Sequence, residues 1–571
     1  MPLPEDTYST SLLLEAFKNF EKSFEGELSR AKEALDTRAV VHLISSNLTS
    51  GISDKVKFDT FRIAVRAYRS NSQESELCFE LNVAIELAQL NVDVAQSEAQ
   101  VASAKLDLAL CLERKGHWTD GPEGTSLLAQ SVELYRDIAN RFEQSDDPEE
   151  LSDIRYLLAN ALQAQGQRTL GTAGDKLLIK SIEAHRDALY GWAPQDTPLE
   201  RASAFNSLAR ALETRGINSE GETGLDLLRQ AGNAYRAALT IFTKADHPLD
   251  WAMTTQDYSN LLQALGERAS STEGQALFRQ AIANYRETFD VYSPQTHPME
   301  WAMVAQNLAV SLENLGSRIL GSEGTELIAQ SAIAYRNALE VTPKSSHPTE
   351  WAMTTQNLAV TLCTQGQRTK GRRGVKLLRQ SVEAYNDVLT VFTFEEEPLY
   401  WAFANLNIGN TQCQLGLRTR RAKSTQWFRH SLVSCNEALK VLTRDDYPVH
   451  WGIVKNNIAN ALSALGTQTT KAEGVELLEQ AISTFQEALE VRTKTTDPVN
   501  WALTIDNISI AEVGLAQHVR TTAPVEHLES ALKHVELALS VFSAEDMSFN
   551  HDKSSRRRDD ILAQITAHSS A

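Results

Sequence analysis

The sequence predicts an all-α protein, a right-handed α-solenoid in which helical hairpins stack into a superhelix. Six tryptophans stand fifty residues apart, and a proline lies three residues before each of them. A glycine column keeps the same step. The columns are Trp251, Trp301, Trp351, Trp401, Trp451 and Trp501, the prolines from Pro148 to Pro498, and the glycines from Gly116 to Gly466. A fixed period over most of a chain indicates an array of similar units, each stacked on the next.

Residues 301–350 show what one unit contains. Apolar side chains from Trp301 to Leu315 recur at helical spacing and predict a first helix. A loop from Gly316 to Gly324 is expected to end it, because glycine commonly follows the last helical residue. A second helix is predicted over Thr325 to Val341. A β-propeller of similar period is excluded, since the segments are rich in Ala, Leu, Gln and Glu and lack alternating β-branched runs.

The period divides the chain into four parts. Residues 1–50 predict N-terminal capping helices, a long one over about 9–36 and a shorter one. Residues 51–100 form a divergent unit, residues 101–550 form nine fifty-residue units, and residues 551–571 form a polar closing helix and tail. Caps are expected because the end units of an array would otherwise expose apolar surface.

Charge and hydropathy restrict the classes of partner. The net charge of −19 argues against nucleic acid as the main ligand, because polyanions attract basic surfaces. No apolar run is long enough for membrane insertion, and the start lacks the features of a signal peptide. The five cysteines form no close pair, which is typical of buried thiols in a reducing compartment. A cytoplasmic location is therefore predicted.

The units resemble the tetratricopeptide repeat. The resemblance covers roughly residues 51–543 and is clearest over 201–500. The residues of the type unit that match the family pattern are Asn307, Leu308, Ala309, Gly316, Ser331, Tyr335 and Ala338. Two features depart from it: the tryptophan lies about one turn before the family's aromatic position, and the unit is about sixteen residues longer. Long-unit arrays of this kind are similar to those of bacterial cytosolic proteins, where they often accompany an effector enzyme.

The resemblance implies a binding role for one column of asparagines. In tetratricopeptide arrays the first helix lines the concave groove, and asparagines at the matching position often bond the backbone of an extended peptide. An amide suits this role because it both donates and accepts hydrogen bonds. The predicted groove residues are Asn307, Asn357, Asn407, Asn457, Asn507, Gln306 and Gln356. Alternatively, these amides bond a neighbouring helix and set the register between units.

A second hypothesis concerns two adjacent loops. Five of the column glycines are followed by an arginine two residues later, and these arginines are expected to bond the last carbonyls of a first helix. They are Arg168, Arg268, Arg318, Arg368 and Arg418. Loops of neighbouring units stack on one edge, so their charges are expected to form a basic patch that docks an acidic protein segment or a phosphate-bearing ligand. The patch residues are Arg368, Lys370, Arg372, Arg373, Lys376, Arg379, Arg418, Arg420, Arg421 and Lys423. Alternatively, the edge is solvated and has no partner.

Two other columns are interpreted as structural. The tryptophans begin the apolar stripe of the first helix and are expected to pack on the preceding unit, so Trp351→Ala is expected to lower stability, by about 3–5 kcal/mol if the ring is fully buried. His247, His297 and His347 precede prolines. Equivalent atoms of stacked helix pairs lie about 10 Å apart or more, whereas zinc ligands lie about 2 Å from the metal. No metal or cofactor is predicted.

The predicted function is a non-catalytic protein–protein interaction scaffold that binds a peptide segment or helix of a partner protein. An enzyme is not predicted, because the sequence contains no P-loop, no nucleophile elbow, no His-Glu-x-x-His and no Cys-x-x-Cys motif. Two alternatives stay open. One is a self-assembling structural protein, for which a homo-oligomer is possible, and the other is a regulatory or sensor subunit of a separate effector enzyme.

Overall fold

The computed structural model of the protein describes residues 7–34, 36–48, 54–71, 78–143, 147–420, 422–518, 523–543 and 547–569. Within these ranges all regular secondary structure is helical, and no helix is both long and apolar enough to cross a membrane. The helices are α1 (Thr7–Ser23), α2 (Glu25–Glu33), α3 (Thr37–Leu48), α4 (Asp54–Asn71), α5 (Cys78–Val94), α6 (Glu98–Trp118), α7 (Gly121–Phe142), α8 (Pro148–Arg168), α9 (Gly171–Gly191), α10 (Pro198–Ile217), α11 (Gly221–Leu239), α12 (Pro248–Arg268), α13 (Ser271–Thr288), α14 (Pro298–Arg318), α15 (Gly321–Val341), α16 (Pro348–Arg368), α17 (Gly371–Val388), α18 (Pro398–Arg418), α19 (Ala422–Ala438), α20 (Pro448–Gln468), α21 (Ala472–Leu489), α22 (Pro498–Gln517), α23 (Pro524–Leu539) and α24 (Ser548–Ser569).

The chain forms two compact units, Met1–Leu265 and Gly266–Ala571. In each of them an even-numbered helix packs most closely on the helix that follows it, as α8 does on α9 and α14 on α15. We call the even-numbered helices from α4 onward first helices and their partners second helices. Second helices of both units also pack on the next first helix, as α9 does on α10 and α15 on α16, so these hairpins stack in sequence order. The predicted all-α array of hairpins is confirmed.

The N-terminal segment differs from its prediction. One long helix was expected over about residues 9–36, but α1 ends at Ser23 and α2 begins at Glu25. Phe24 lies between them with φ −113° and ψ 21°, outside the helical range. The helix break places Phe20 and Phe24 with ring centroids 5.0 Å apart, so an aromatic contact accompanies the change of direction.

The turn inside the hairpin of α14 and α15 is much shorter than the sequence suggests. α14 continues through Gly316 to Arg318, and α15 already begins at Gly321, so only Ile319 and Leu320 connect them. The prediction that Gly316 ends the first helix is therefore wrong. Gly321 has φ 82°, in the left-handed region that favours glycine, and this residue makes the tight turn possible.

Gly316 and Gly324 allow the two helices of a hairpin to approach closely. A Cβ atom added to Gly316 would lie 2.8 Å from the carbonyl oxygen of Gly324, and one added to Gly324 would lie 2.0 Å from that of Ile319. Gly366 and Gly374 repeat this arrangement one unit later. The recurrent glycine pairs are thus contacts between helices, and helix termination is not their role.

Small side chains occupy the next crossing point of each hairpin. Ser331 and Ala338 of α15 are fully buried, together with Tyr335, as the packing pattern predicted. In the following hairpin the Ser381 hydroxyl donates a 2.7 Å hydrogen bond to the carbonyl oxygen of Ala359 on the facing helix. A buried hydroxyl that bonds the partner backbone aligns the two helices and removes its own desolvation cost.

The tryptophans are half-buried and do not fill the core. Trp351 packs beside the cluster around Tyr385 and Phe392, and Lys344 lies over its ring at 5.2 Å from the centroid. Lys494 lies over Trp501 in the same way, at 5.3 Å. Each of these lysines belongs to the link that precedes the tryptophan, so the rings hold successive hairpins together through a cation–π contact.

Candidate functional site

The asparagine column lies on the outward side of the first helices. Asn357 is exposed, and Asn307, Asn407, Asn457 and Asn507 are half-buried. The residues that follow each of them pack inward; in α16 these are Leu358 and Ala359, both buried. Helix geometry therefore points the amides away from the second helices.

Other outward residues follow the asparagine at helical spacing. In α16 they are Met353, Val360, Thr364 and Gln367, which are exposed or half-buried like Asn357. We call the set of such residues in α14, α16, α18, α20 and α22 the first-helix ridge. Its members are Met303, Asn307, Val310, Asn314, Ser317, Met353, Asn357, Val360, Thr364, Gln367, Phe403, Asn407, Asn410, Gln414, Leu417, Ile453, Asn457, Asn460, Ala464, Thr467, Leu503, Asn507, Ile510 and Gln517.

The first-helix ridge contains no Asp, Glu, Lys, Arg or His. This composition is unusual for a surface on a chain that carries 74 acidic and 55 basic side chains. The equivalent positions in Met1–Leu265 do include charges, for example Asp153, Arg210 and Asp257. A charge-free, amide-rich face is therefore a property of these five first helices; α24, which closes the second unit, carries Lys553, Arg557 and Asp560 at the equivalent positions.

Two charged groups close to the ridge, Glu313 and Lys455, have partners. Glu313 accepts hydrogen bonds from the hydroxyls of Thr361, at 2.6 Å, and Thr364, at 3.5 Å. Burial raises the pKa of Glu313, while these two hydroxyls oppose the rise. Lys455 lies 2.7 Å from a carboxylate oxygen of Glu487. These contacts reduce the net field that a bound segment would meet.

The ridge encloses a cavity of about 440 Å³ between α18, α20, α22 and α24. Asn457 and Asn507 both line it, so the structure brings these two predicted site residues together. Asn410, Asn460 and Gln414 add further amides, and Lys553 supplies the one basic side chain among the described residues of its lining. Asn307, Asn357 and Asn407 lie along the ridge outside this cavity.

Some amides of the column contact neighbouring units. Asn507 donates a 3.4 Å hydrogen bond to the Asn456 Oδ1 atom of the preceding first helix, so this residue also contributes to register. Gln306 and Gln356 are half-buried beside their asparagines. Within the described part of the chain, the buried Oε1 atom of Gln356 has no hydrogen-bond partner. In α16, two consecutive amides thus differ in direction: Asn357 points outward and Gln356 points inward.

The basic side chains of the two loops lie in two separate concavities. One of about 1010 Å³, which we call the basic groove, has six basic residues in its lining and no acidic residue among the described ones. These six are Lys370, Arg372, Lys376, Arg379, Arg418 and Arg420. Arg368 and Arg373 line a second concavity of about 480 Å³ together with Glu326. Lys423 is exposed in the first turn of α19, and Arg421 lies outside the described residues.

The loop arginines bond the preceding hairpin through backbone carbonyls. Arg368 donates from Nη1 to the carbonyl oxygens of Gly316 at 2.6 Å and Ile319 at 2.9 Å, and from Nη2 to that of Ser317 at 2.8 Å. Arg418 bonds Gly366, Thr369 and Gln367 in the same pattern. The expected carbonyl contacts are present, but they run from one hairpin to the end of the previous first helix. The guanidinium groups of Arg368 and Arg418 therefore already donate hydrogen bonds within the protein.

The N-terminus of α17 adds to the positive potential of the basic groove. Most second helices carry a glutamate in the first turn, such as Glu323 in α15 and Glu473 in α21. α17 has no acidic residue there, and Arg373 occupies the equivalent position. Because a helix N-terminus carries partial positive charge, this substitution leaves the dipole uncompensated.

Sequence reasoning missed a cluster on α4. Arg62, Arg66 and Arg69 share one helix face and surround Asp107 of α6. Asp107 lies exactly two hundred residues before Asn307, in the same column of the repeat. The three arginines stand four and three residues apart, which places them on one helix face, and this spacing could have revealed the cluster from the sequence.

Among the described residues, neither the histidine column nor the cysteines show a metal-binding arrangement. Within the described residues, no group of three His, Cys, Asp or Glu side chains could hold a metal ion. His297 and His347 contact the hydroxyls of Thr296 and Ser346 in their own links. Burial raises the pKa of Cys413 and of Cys435 to about 12, so both thiols stay protonated.

Comparison with solved structures finds similar helical repeat proteins. The apo form of RapI is 12% identical with a TM-score of 0.41, over 77% of this chain and 98% of RapI. The human IFIT1 dimer with PPP-AAAA is 11% identical with a TM-score of 0.37, over 93% and 94%. A STAND protein with a tetratricopeptide repeat sensor from Pyrococcus horikoshii is 10% identical with a TM-score of 0.32, over 94% and 89%. No protein-family model matches the sequence, and no curated protein matches it.

The chain's own repeat defines its fold class. Hairpins recur at a fifty-residue step, and glycine, alanine or serine lies where the two helices of a hairpin cross. These features make the fold of this protein an all-α array of helical hairpins.

Proposed function

We propose that the chain is a protein-interaction scaffold whose first-helix ridge holds an extended, uncharged segment of a partner protein. The observation that carries this proposal is the absence of charge along the ridge on a chain with net charge −19. A charged segment on this surface would lose hydration without meeting an opposite charge. An uncharged segment avoids that cost.

The amides and the apolar members of the ridge have different tasks in this proposal. Asn357, Asn407 and Asn457 hydrogen-bond the peptide backbone, which every extended segment offers regardless of its sequence. Met303 and Met353, 52% and 45% exposed, contact apolar side chains of the segment. Methionine suits such contacts because its flexible thioether adapts to different partners.

The cavity between α18 and α24 anchors one side chain of the segment. Its 440 Å³ are lined by amides, by Ile510 and by Lys553, so a small polar or aromatic side chain with a hydrogen-bonding group fits it. Burial in such a pocket concentrates binding energy in one anchor, while the remaining contacts exclude water.

The basic groove steers the partner towards the ridge in this scheme. A partner whose uncharged segment is flanked by acidic residues associates faster, since long-range attraction raises the encounter rate. Exposed charges are screened at physiological ionic strength over about 8 Å, so this contribution falls with added salt.

Selection from a displayed library of random twelve-residue peptides tests the proposal. The full chain is compared with the triple variant Asn357→Ala/Asn407→Ala/Asn457→Ala. The matched control is Asn386→Ala/Asn436→Ala/Gln486→Ala, which removes three exposed amides from the second helices of the same hairpins. Circular dichroism melts of all three proteins establish that the comparison concerns folded chains.

The expected result is enrichment of peptides with a central uncharged stretch by the wild type and by the control. The ridge variant should lose at least about tenfold in affinity for them, which corresponds to about 1.4 kcal/mol. Equal retention by the ridge variant would contradict the proposal, as would selection of peptides charged throughout their length.

A further inference from the structure

We infer that a cavity in the first unit binds a small molecule with an apolar body and one carboxylate group. The cavity, which we call the α6 cavity, has a volume of about 400 Å³ and lies between α4, α6, α7 and α8. This volume falls in the range of known small-molecule sites. The inference is independent of the proposed function, since all its residues belong to Met1–Leu265.

One end of the α6 cavity carries an excess of positive charge. Asp107, 4% exposed, lies 3.3 Å from Arg62 Nε, 3.9 Å from Arg66 Nε and 3.6 Å from Arg69 Nη1. Arg62 and Arg66 share this one carboxylate, which cannot neutralise both guanidinium groups. A second anion beside Arg62 and Arg66, both of which line the cavity, would balance the cluster and bond them as a fork.

The protonation behaviour of Arg66 agrees with that imbalance. Loss of hydration is the main cause that lowers the pKa of Arg66, and repulsion by Arg62 and Arg69 adds to it. The attraction of Asp107 opposes the shift without cancelling it. A bound carboxylate would relieve the repulsion.

Apolar side chains form the body of the cavity. Ala99, Ala102 and Leu106 follow one face of α6 towards Asp107, and Ile138, Phe142 and Ile154 face them from α7 and α8. Ile138 and Ile154 are almost completely buried, at 1% and 2% exposure. Eight residues of helix separate Ala99 from Asp107, so the apolar trough is about 12 Å long. An alkyl chain or a small ring system fills such a trough.

The opposite end of the trough disfavours a second anionic group. Glu98 and Glu150 line it there, at the N-terminal ends of α6 and α8. Burial raises the pKa of Glu150, and the neighbouring carboxylates of Asp147 and Asp153 raise it further. A monocarboxylate is therefore preferred over a dicarboxylate. The same carboxylate chemistry is offered by the C-terminus of a peptide that ends in an apolar residue, and the experiment separates these two sources.

Isothermal titration of the full chain with decanoate tests the inference. Decanol, decylammonium and decanedioate serve as probes with the same chain and a different charge. A pentapeptide with a free C-terminal leucine represents the peptide source. The central variant is Arg66→Gln, whose side chain is 49% exposed and therefore tolerates the change. Arg141→Gln is the matched control, because Arg141 lines the same cavity but is paired with Asp137 at 3.5 Å.

We expect decanoate to bind the wild type with one site and to bind Arg66→Gln at least about tenfold more weakly, with Arg141→Gln unchanged. Ser103→Leu, which fills the trough from a half-buried position, should abolish binding in a chain that melts normally. Decanol, decylammonium and decanedioate should bind much more weakly than decanoate. Equal binding of decanoate by all variants, equal binding of all probes, or binding of the pentapeptide alone would overturn the inference.

Discussion

The guanidinium group of Arg368 donates a 2.6 Å hydrogen bond to the carbonyl oxygen of Gly316, 52 residues earlier in the chain. The same side chain also bonds the carbonyls of Ser317 and Ile319. The end of a first helix leaves its last carbonyls without helical partners. One arginine from the next hairpin satisfies three backbone carbonyls at this point. The end of each such first helix is therefore capped only when the next hairpin is stacked on it.

Replacement of Arg368 by lysine should lower the free energy of unfolding by about 1–3 kcal/mol, because an ammonium group cannot reach three carbonyls as the planar fork does. Urea titration followed by circular dichroism measures the change. Arg379→Lys is the control: this residue is exposed in the basic groove, so its effect should stay within about 0.5 kcal/mol. An equal effect of both substitutions would mean that the carbonyl contacts of Arg368 contribute nothing specific.

Gly316→Ala should destabilise the protein, although alanine is the better helix former by about 1 kcal/mol. The added Cβ would lie 2.8 Å from the Gly324 carbonyl oxygen and 2.9 Å from Ile328 Cγ1, and such overpacking costs typically about 1–3 kcal/mol. A lower melting temperature in a thermal scan is the expected result. A higher one would show that the hairpin accommodates the methyl group and that helix propensity dominates.

Glu213 should make stability fall as the pH rises towards neutrality. Burial raises the pKa of Glu213 from 4.5 to about 7, with a further contribution from Asp257, while the hydrogen bond from Tyr235, 2.7 Å long, opposes it. Since the folded-state pKa lies above the unfolded value, the folded chain holds the proton more tightly. The stabilisation is complete below about pH 4.5 and is lost as the pH rises through about 7. Its size is about 3 kcal/mol, at 1.36 kcal/mol per pKa unit.

The variant Glu213→Gln tests this prediction, because the amide keeps an acceptor for the Tyr235 hydroxyl and cannot ionise. Urea midpoints of wild type and variant between pH 4.5 and 8 should diverge as the pH rises, with the variant gaining in relative stability. Parallel curves would show that Glu213 is not protonated in the folded chain at pH 5–6.

His185→Phe should stabilise the protein. His185 is fully buried at the repeat position that Tyr235, Tyr335 and Phe485 hold in other units. Within the described residues neither of its ring nitrogens has a hydrogen-bond partner. An unsatisfied buried polar group costs about 1–3 kcal/mol, which phenylalanine removes. Burial lowers the pKa of His185 from 6.5 to about 3. The unfolded chain therefore binds a proton that the folded chain does not, and the free energy of unfolding falls as the pH drops from 6.5 towards 3. Denaturation at pH 7 and pH 4 should show a larger gain at pH 4, and a loss at both values would refute the assignment.

Trp351→Ala should cost about 1–3 kcal/mol, less than the loss of a fully buried ring. The indole is half-buried and is covered on one face by Lys344. Burying a large apolar side chain contributes about 1.5–3 kcal/mol, to which the cation–π contact adds up to about 1. Met353→Ala, two residues away and 45% exposed, is the control and should change the urea midpoint little. An equally small loss of stability in both variants would show that the Trp351 ring contributes no more than an exposed side chain.

The core of each hairpin was predictable from the sequence because it depends on local periodicity. Apolar residues at helical spacing fall on one face of a helix, and the same face must be buried in every copy of a repeat. The buried Ser331, Tyr335 and Ala338 follow from this rule. Gly316 was misinterpreted because glycine serves two purposes in helical proteins: it ends helices, and it permits close contact between them.

The sequence by itself determined the period and the helical class, since both depend on residues within one hairpin, and it left open whether the asparagine column faces a groove or a neighbouring helix. Only the tertiary structure decided which side chains from different hairpins meet. The contacts of Arg368 with Gly316 and of Arg62 with Asp107 join residues 52 and 45 positions apart. The division of the basic loops between two concavities has the same origin. Such contacts depend on the distance and angle between stacked hairpins, which side-chain packing sets and which a repeat length does not specify.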